Sequence, residues 1–373
     1  MTVDSVGEID ITTDSFLGAG GVIALLVVVG LALVMRNRLG RITRVGKVAL
    51  ASVITILVLI GSGASVNAHF DYFRTLGDVL GLPPSDEVEL AALLARTDRP
   101  DRGVVTTIEL PGKESGFTGR PAMVWVPPAW FARPRPTLPV LMLLHGTPGT
   151  PQDWLDGGQA GATADEYAAA HGGTAPILVM PDVNGTIDGD TECVDGPDGR
   201  VETYLTADVP RFVQDVFHAA APGRTWAVAG LSEGGSCSLM LALRHPDLFG
   251  TFGDYAGLAG PRAGDTNADT DSAVAQLFGG SRQAFLAHEP AALLAGRRYP
   301  GLGGWFEVGD ADPEPSAAAE TIVPAARRAG IATCEVVVPG AGHTFVLFSQ
   351  AFSDSLPWIA GRLGAGPAVP SCP

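Results

Sequence analysis

Residues 226–244 constrain the fold most. Residues 226–230 read as a short buried strand and 236–244 as an amphipathic helix, with Gly230-Leu231-Ser232-Glu233-Gly234-Gly235 at the junction. The glycines permit a sharp strand-to-helix turn that presents the Ser232 hydroxyl at the top of a sheet, and the helix aims its N-terminus at the same place. G-x-S-x-G arises by chance in a chain with 48 glycines. The apolar strand before it and the helix after it are what mark Ser232 as a nucleophile rather than an ordinary N-cap serine.

The flanking sequence suits such a junction. From Gly103 onward strands alternate with helices. Residues 104–110 and 122–126 read as paired strands, followed by strands at 139–144, 177–180, 249–255, 305–308 and 334–338. Helical spacing marks 165–170 and 205–218. This alternation predicts an α/β domain, a mostly parallel sheet with helices on both faces. Residues 260–272, polar and rich in Asp and Gly, read as a flexible insertion. In such sheets the chemistry sits at the carboxyl ends of the strands.

A serine nucleophile needs a base. Of the seven histidines, His343 lies in Gly340-Ala341-Gly342-His343-Thr344-Phe345, directly after the last predicted strand, on a loop able to swing over the serine. His171, His218, His245 and His288 read as surface or packing residues, and His145 as a loop-positioning residue. The base needs an orienting carboxylate. The strand at 305–308 runs into Gly309-Asp310-Ala311-Asp312-Pro313-Glu314, where three acids compete. The Gly-x-x-Asp placement selects Asp312, with Asp310 and Glu314 as alternatives. A developing oxyanion needs backbone N–H donors. One is expected from Glu233 and the other from His145-Gly146-Thr147-Pro148-Gly149, where Pro148 has no N–H and Thr147 is the candidate.

The chain order Ser232, Asp312, His343 is that of α/β-hydrolases. The junction, continuing to Leu243-Arg244-His245-Pro246-Asp247-Leu248-Phe249, resembles the esterase branch of that superfamily, which includes S-formylglutathione hydrolases, feruloyl esterases and the secreted mycolyltransferases. Val179-Met180-Pro181-Asp182 and Tyr204-Leu205-Thr206-Ala207-Asp208-Val209-Pro210 fit its next strand and helix. The resemblance spans residues 103–361. It implies an α/β-hydrolase fold, a serine triad and ester chemistry, with neither a metal nor an organic cofactor. The chain departs from the branch at Glu233, where many members carry Met. A carboxylate there would disfavour anionic substrates or meet a cationic one; the simpler expectation is a side chain pointing into solvent.

Four cysteines are too few for a disulfide scaffold but suit an oxidising compartment. In the implied fold the acidic loop 188–198, which carries Cys193, passes near the helix that carries Cys237, so these two are expected to pair. Cys334 and Cys372 would then pin the tail. Four unpaired thiols are the alternative. The acidic loop lacks EF-hand spacing, so no metal site is expected there.

Upstream, residues 16–35 and 48–66 are uncharged and apolar, and each is able to cross a hydrocarbon core about 30 Å thick. Asp4, Glu8, Asp10 and Asp14 precede the first run, unlike the basic start of a signal peptide. Between the runs lie Arg36, Arg38, Arg41, Arg44 and Lys47 and no acid, which favours a cytoplasmic loop. The expected organisation is a two-helix transmembrane hairpin at 1–67, juxtamembrane helices and linker at 68–102, an α/β-hydrolase domain at 103–366 and a tail at 367–373. The catalytic domain would face the exoplasmic side of a cell membrane. In the linker, 85–96 reads as a short helix capped by Ser85 or Asp86. A net charge of −16 argues against a nucleic-acid partner. Lys47 and Lys113 are the sole lysines, a mark of a high-GC, bacterial genome.

The expected function is a membrane-anchored serine esterase acting on an ester-bearing lipid or envelope component. An acyltransferase of the mycolyltransferase type would use the same triad and pass the acyl group to a sugar or lipid hydroxyl. A non-catalytic hydrolase-fold binding module would show a missing triad member, and none is missing. Within the esterase reading, an aminoacyl phospholipid would join a headgroup near the anchor to a cationic ester suited to an acidic domain.

Overall fold

Short apolar runs rich in Val, Leu and Trp form a sheet of eight strands. In chain order the strands are β1 (Val104–Ile108), β2 (Ala122–Val126), β3 (Val140–Leu144), β4 (Ile177–Met180), β5 (Asp195–Gly196), β6 (Gly199–Arg200), β7 (Gly223–Leu231), β8 (Phe249–Tyr255), β9 (Gly303–Gly309) and β10 (Ala332–Val338). The order across the sheet is β1-β2-β4-β3-β7-β8-β9-β10, with β5 and β6 forming a separate hairpin. β2 pairs antiparallel with β1 and β4; the other neighbours in the large sheet are parallel. The computed structural model describes residues 87–369 and Cys372, with scattered positions between 48 and 73.

β7 runs through the middle of the sheet between β3 and β8. Its register sets Leu144 beside Gly230 and Tyr255 beside Leu231, so three strand ends meet at the rim where Ser232 emerges. The main helices are α1 (Leu90–Ala95), α2 (Ala160–Ala170), α3 (Val209–Phe217), α4 (Glu233–Arg244), α5 (Pro313–Arg328) and α6 (Phe345–Leu363). α4 is buried at every residue from Glu233 to Leu243 and packs on β3, β7 and β8. On α6, Phe352 meets Trp154 edge-on at 5.7 Å, and Trp154 meets Tyr255 at 6.2 Å. Phe352 is fully buried, so Phe352→Ala would cost about 3–5 kcal/mol of stability.

Several elements differ from expectation, each for a local reason. The helix expected at 85–96 begins at Leu90 with Glu89 as N-cap. Glu87 instead bridges to Val105 and accepts a hydrogen bond from Thr107 Oγ1 (2.6 Å), which holds the chain before α1 extended. The helix expected at 165–170 starts five residues earlier, at Ala160. The helix expected at 205–218 is divided into a π-helical turn, Tyr204–Asp208, and α3. Pro210 has no N–H to offer the Thr206 carbonyl, and a widened turn accommodates that gap. The insertion at 260–272 is fastened rather than loose. Arg262, 3% exposed, donates to both oxygens of Glu289 (2.8 and 3.0 Å), and the Asn267 N–H donates to Glu314 Oε2 (2.7 Å).

The chain divides into two compact units, Met1–Ser85 with Thr344–Val346, and Asp86–His343 with Leu347–Pro373. In the first, Asn67 clasps Phe73 through two 2.7 Å hydrogen bonds, one donated by its Nδ2 and one accepted by its Oδ1. Among the described residues no helix is long and apolar enough to cross a membrane. The run at 16–35 lies outside the described residues, and the run at 48–66 is described in part.

Candidate active site

The strand-to-helix junction is built by close approach. A Cβ on Gly230 would strike the backbone of Gly234, and one on Gly234 would strike the Leu144 carbonyl. Between them Ser232 adopts φ +56° and ψ −122°, a left-handed backbone that costs a non-glycine residue about 1–3 kcal/mol. Surrounding bonds hold it there: Ser232 N–H donates to Tyr255 O (2.9 Å), and Gly235 N–H donates to Ser232 O (2.9 Å). The hydroxyl therefore stands clear of the helix it precedes.

The ends of β9 and β10 supply the partners. His343 Nε2 lies 2.8 Å from Ser232 Oγ, and its Nδ1 lies 2.6 Å from Asp312 Oδ2. Asp312 is buried as the N-cap of α5, whereas the His343 side chain is 41% exposed and rests edge-on against Phe348 at 5.1 Å. With its hydrogen on Nδ1, facing the carboxylate, the imidazole offers a free Nε2 lone pair to the serine proton. The competing acids have other tasks. Asp310 accepts from Gly340 N–H (2.6 Å) and so ties down the loop that carries His343. Glu314 holds Asn267 of the insertion.

Glu233 does not point into solvent. It is 7% exposed; its Oε2 lies against Thr147 Oγ1 and accepts from Asn184 Nδ2 (2.7 Å), and its Oε1 accepts from Glu192 N–H (3.1 Å). The side chain turns inward because the acidic loop at 188–198 folds over it and presents the Glu192 N–H, while Asn184 reaches it from just before that loop. Its carboxylate thereby ties Thr147 to the start of α4. Neither the Thr147 nor the Glu233 N–H has an acceptor among the described residues, so both remain available to a ligand oxygen. His145, fully buried, spans Gly146 O (2.8 Å) and Asp182 Oδ1 (3.0 Å) and braces the same loop. Burial alone would raise the Asp182 carboxyl, but hydrogen bonds from His145 and Arg120 hold it well below the usual carboxylate range.

A pocket of about 290 Å³ opens beside Ser232 and His343, with Asp190, Glu192, Glu233 and Asp265 in its wall. A larger hollow of about 720 Å³, bordered by Leu294, Arg297 and Arg328, contains none of these residues. Burial pushes the carboxyls of Glu192 and Glu233 above their ordinary range; mutual repulsion raises Glu192 further, and the Thr147 hydroxyl works against the rise at Glu233. Asp190 is raised too, by burial first and then by Asp265 and Asp198. Sequence reasoning noted the acidic loop but missed that Asn184, Asp190 and Glu192 belong to this site. Their density of acids was the available signal, and only the folding of the loop over α4 turns it into a pocket wall.

Both expected disulfides are present, Cys193–Cys237 with Cα atoms 5.6 Å apart and Cys334–Cys372 at 5.4 Å. The first fastens the acidic loop directly to α4. Among the described residues no group of three or more His, Cys, Asp or Glu side chains is placed to hold a metal ion.

Comparison with known proteins adds the family. The family described as "Putative esterase" matches residues 118–359. An uncharacterised protein of Corynebacterium glutamicum is 33% identical over 330 residues, covering 84% of this chain and 76% of the relative. Among solved structures, an S-formylglutathione hydrolase of Agrobacterium tumefaciens is similar at TM-score 0.60 and 19% identity, covering 72% of this chain and 99% of the other. A ferulic acid esterase is similar at TM-score 0.59 and 21% identity, covering 70% and 99%. These structures share the α/β-hydrolase fold with its mostly parallel central sheet. On the extent of the family match, this chain belongs to the esterase family, whose members are hydrolases of esters.

Proposed function

We propose that the chain is a serine esterase that cleaves a carboxylic ester of a lipid or cell-envelope component through an acyl-enzyme on Ser232. The observation that carries this reading is the unbroken relay from Asp312 through His343 to Ser232, at 2.6 and 2.8 Å. As Ser232 Oγ attacks the carbonyl carbon, His343 Nε2 takes its proton, and Asp312 stabilises the imidazolium that forms. The carbonyl electron pair moves to oxygen, where the N–H groups of Thr147 and Glu233 receive it. Such a donor is worth roughly 100- to 1,000-fold in turnover. Collapse expels the alcohol, which leaves with the proton from His343. Water, deprotonated by His343, then attacks the acyl-enzyme and frees the acid. A sugar or lipid hydroxyl in place of water would complete a transfer by the same steps.

The reading includes a place. Two spans at residues 16–35 and 48–66, with the basic loop inside, would hold the catalytic unit at the exoplasmic face. Two disulfides in the catalytic unit support an oxidising compartment.

A fluorophosphonate should label the purified protein, and Ser232→Ala should abolish labelling and ester cleavage together. Persistence of both in the variant would end the proposal. Cysteine-accessibility labelling on intact cells tests the topology, which fails if residues after Asn67 are reachable from the cytoplasm alone.

A further inference from the structure

The pocket beside Ser232 contains more carboxylates than a triad uses, and one of them has an oxygen without a partner. Glu192 is 3% exposed, its Oε2 has no hydrogen-bond donor, and it lines the same pocket as Ser232 and His343. A buried carboxylate oxygen without a donor is costly to keep, so a donor is expected to arrive from elsewhere. Among the described residues none reaches it. Among the residues that line the pocket, His343 is the sole basic one, and it is committed to Ser232 and Asp312. Arg262 steadies the Glu192 carboxylate first through its backbone N–H and then through its charge, but Oε2 is still left without a donor, and the Arg262 guanidinium is bound to Glu289, Asn267 O (3.0 Å) and Pro261 O (2.9 Å). His145, which faces Glu233, is held by Gly146 O and Asp182. The acids are not gathered tightly enough to hold a metal ion, which leaves a larger, organic cation as the fitting occupant.

We propose that this pocket is a subsite for an ammonium group on the ester substrate, with Glu192 Oε2 as its hydrogen-bond acceptor and Asp190, Glu233 and Asp265 as the surrounding negative charge. The assignment rests on the esterase reading above and names its substrate class. An ammonium carries donors and no acceptor, the complement of a wall of carboxylates. Burial pushes Glu192, Glu233 and Asp190 above their ordinary range, and a bound cation would favour the ionised form of each. The nitrogen belongs either to the acyl half of the ester or to the alcohol half, and the two are separable by experiment.

Two pairs of esters decide it, each differing in one nitrogen. The acyl pair is 1-alanylglycerol against 1-propionylglycerol; the alcohol pair is 2-dimethylaminoethyl acetate against 3-methylbutyl acetate. The measurement is the ratio of kcat/KM for the cationic ester to that for its neutral partner, at pH 7, in wild type and in Glu192→Gln. The ratio is taken within one preparation, so partial loss of folded protein cancels. In the pair that matches the natural substrate it should fall about tenfold in Glu192→Gln, the low end for losing a hydrogen bond to a charged group. Asp265→Asn changes an exposed side chain that cannot disturb the core, and should lower the same ratio about two- to threefold. Ratios unchanged by both variants in both pairs would overturn the subsite. If the neutral esters are then still cleaved by wild type and not by Ser232→Ala, the esterase reading survives the loss. If Ser232→Ala cleaves them as well as wild type does, that reading falls and takes the subsite with it.

Discussion

The two loops that meet at Ser232 are held in opposite ways. The loop carrying His343 is glycine-rich and its imidazole is 41% exposed; it is tied by Asp312 to the ring, by Asp310 to the Gly340 N–H and by the Ala311 N–H to the Ala341 carbonyl (3.0 Å). The loop carrying Glu192 is buried at residues 191–194, cross-linked to α4 through Cys193–Cys237, and forced through left-handed backbone at both Glu192 (φ +48°) and Cys193 (φ +54°). The contrast follows from what each must do. A general base has to meet substrate, leaving group and water in turn, so it needs access. A charge that recognises another charge gains strength from exclusion of water, because the interaction energy rises as the local dielectric falls. Access and desolvation cannot be had at one point, and the fold separates them onto two loops.

The largest expected effects test the exposed loop. Ser232→Ala should abolish turnover, and His343→Ala should nearly do so, because the hydroxyl proton then has no acceptor. Asp312→Asn should lower kcat by about 10⁴-fold, since the ring loses the partner that fixes its tautomer. Asp310→Asn and Glu314→Gln should cost far less, because each anchors a loop rather than the ring. A crippling Asp310→Asn in steady-state assays would show that the partner of His343 is misassigned.

The next effect tests the cross-linked loop. Replacing Cys193 and Cys237 by Ser should lower unfolding stability by about 2–4 kcal/mol, and replacing Cys334 and Cys372 should cost a similar amount, since the closed segments are of similar length, with separations of 44 and 38 residues. The two changes should differ at the pocket. Only loss of Cys193–Cys237 should reduce the preference for a cationic ester. Equal preference in both variants would mean that the bridge serves stability alone.

The smallest effect sets a buried acid outside the pocket beside those within it. Asp254 is the penultimate residue of β8, and burial raises its carboxyl to about 7 against one opposing hydrogen bond from Gly257 N–H. A carboxyl whose folded pKa exceeds its unfolded value contributes stability that is present at low pH and is lost as pH rises through the folded pKa. Asp254→Asn removes that loss. The variant should gain roughly 1–3 kcal/mol relative to wild type between pH 5 and pH 8, read by denaturant titration at each pH. A constant difference across that range would show that Asp254 stays ionised or stays neutral throughout.

Most of the sheet was legible because its strands are short apolar runs stopped by Gly or Pro. β2, β4 and β8 begin and end where their residues change character. α5 and α6 were not legible. Pro324 and Pro357 sit inside them, and a proline in a helical pattern locally argues for a break. Burial of Ile322, Val323, Phe352, Leu356 and Ile359 overrides that local cost, and such burial depends on a sheet that the pattern does not contain. Glu233 was misplaced for the same reason. Beside a serine at a turn an acid looks solvated, and the Asn184, Thr147 and Glu192 groups that receive it lie 41 to 86 residues away along the chain.

By itself, then, the sequence determined where the candidate serine sits, since a strand, three glycines and a helix leave Ser232 one backbone route, and local sterics govern that route. It also narrowed the base to His343 and the acid to three neighbours. Tertiary structure decided which acid meets the ring, by seating Asp312 at the buried N-cap of α5 while turning Asp310 and Glu314 toward loop N–H groups. It decided as well that the acids of residues 188–198 gather beside the serine instead of dispersing in water. Electrostatic surroundings are a sum over groups brought together from distant parts of the chain, and no local pattern encodes that sum.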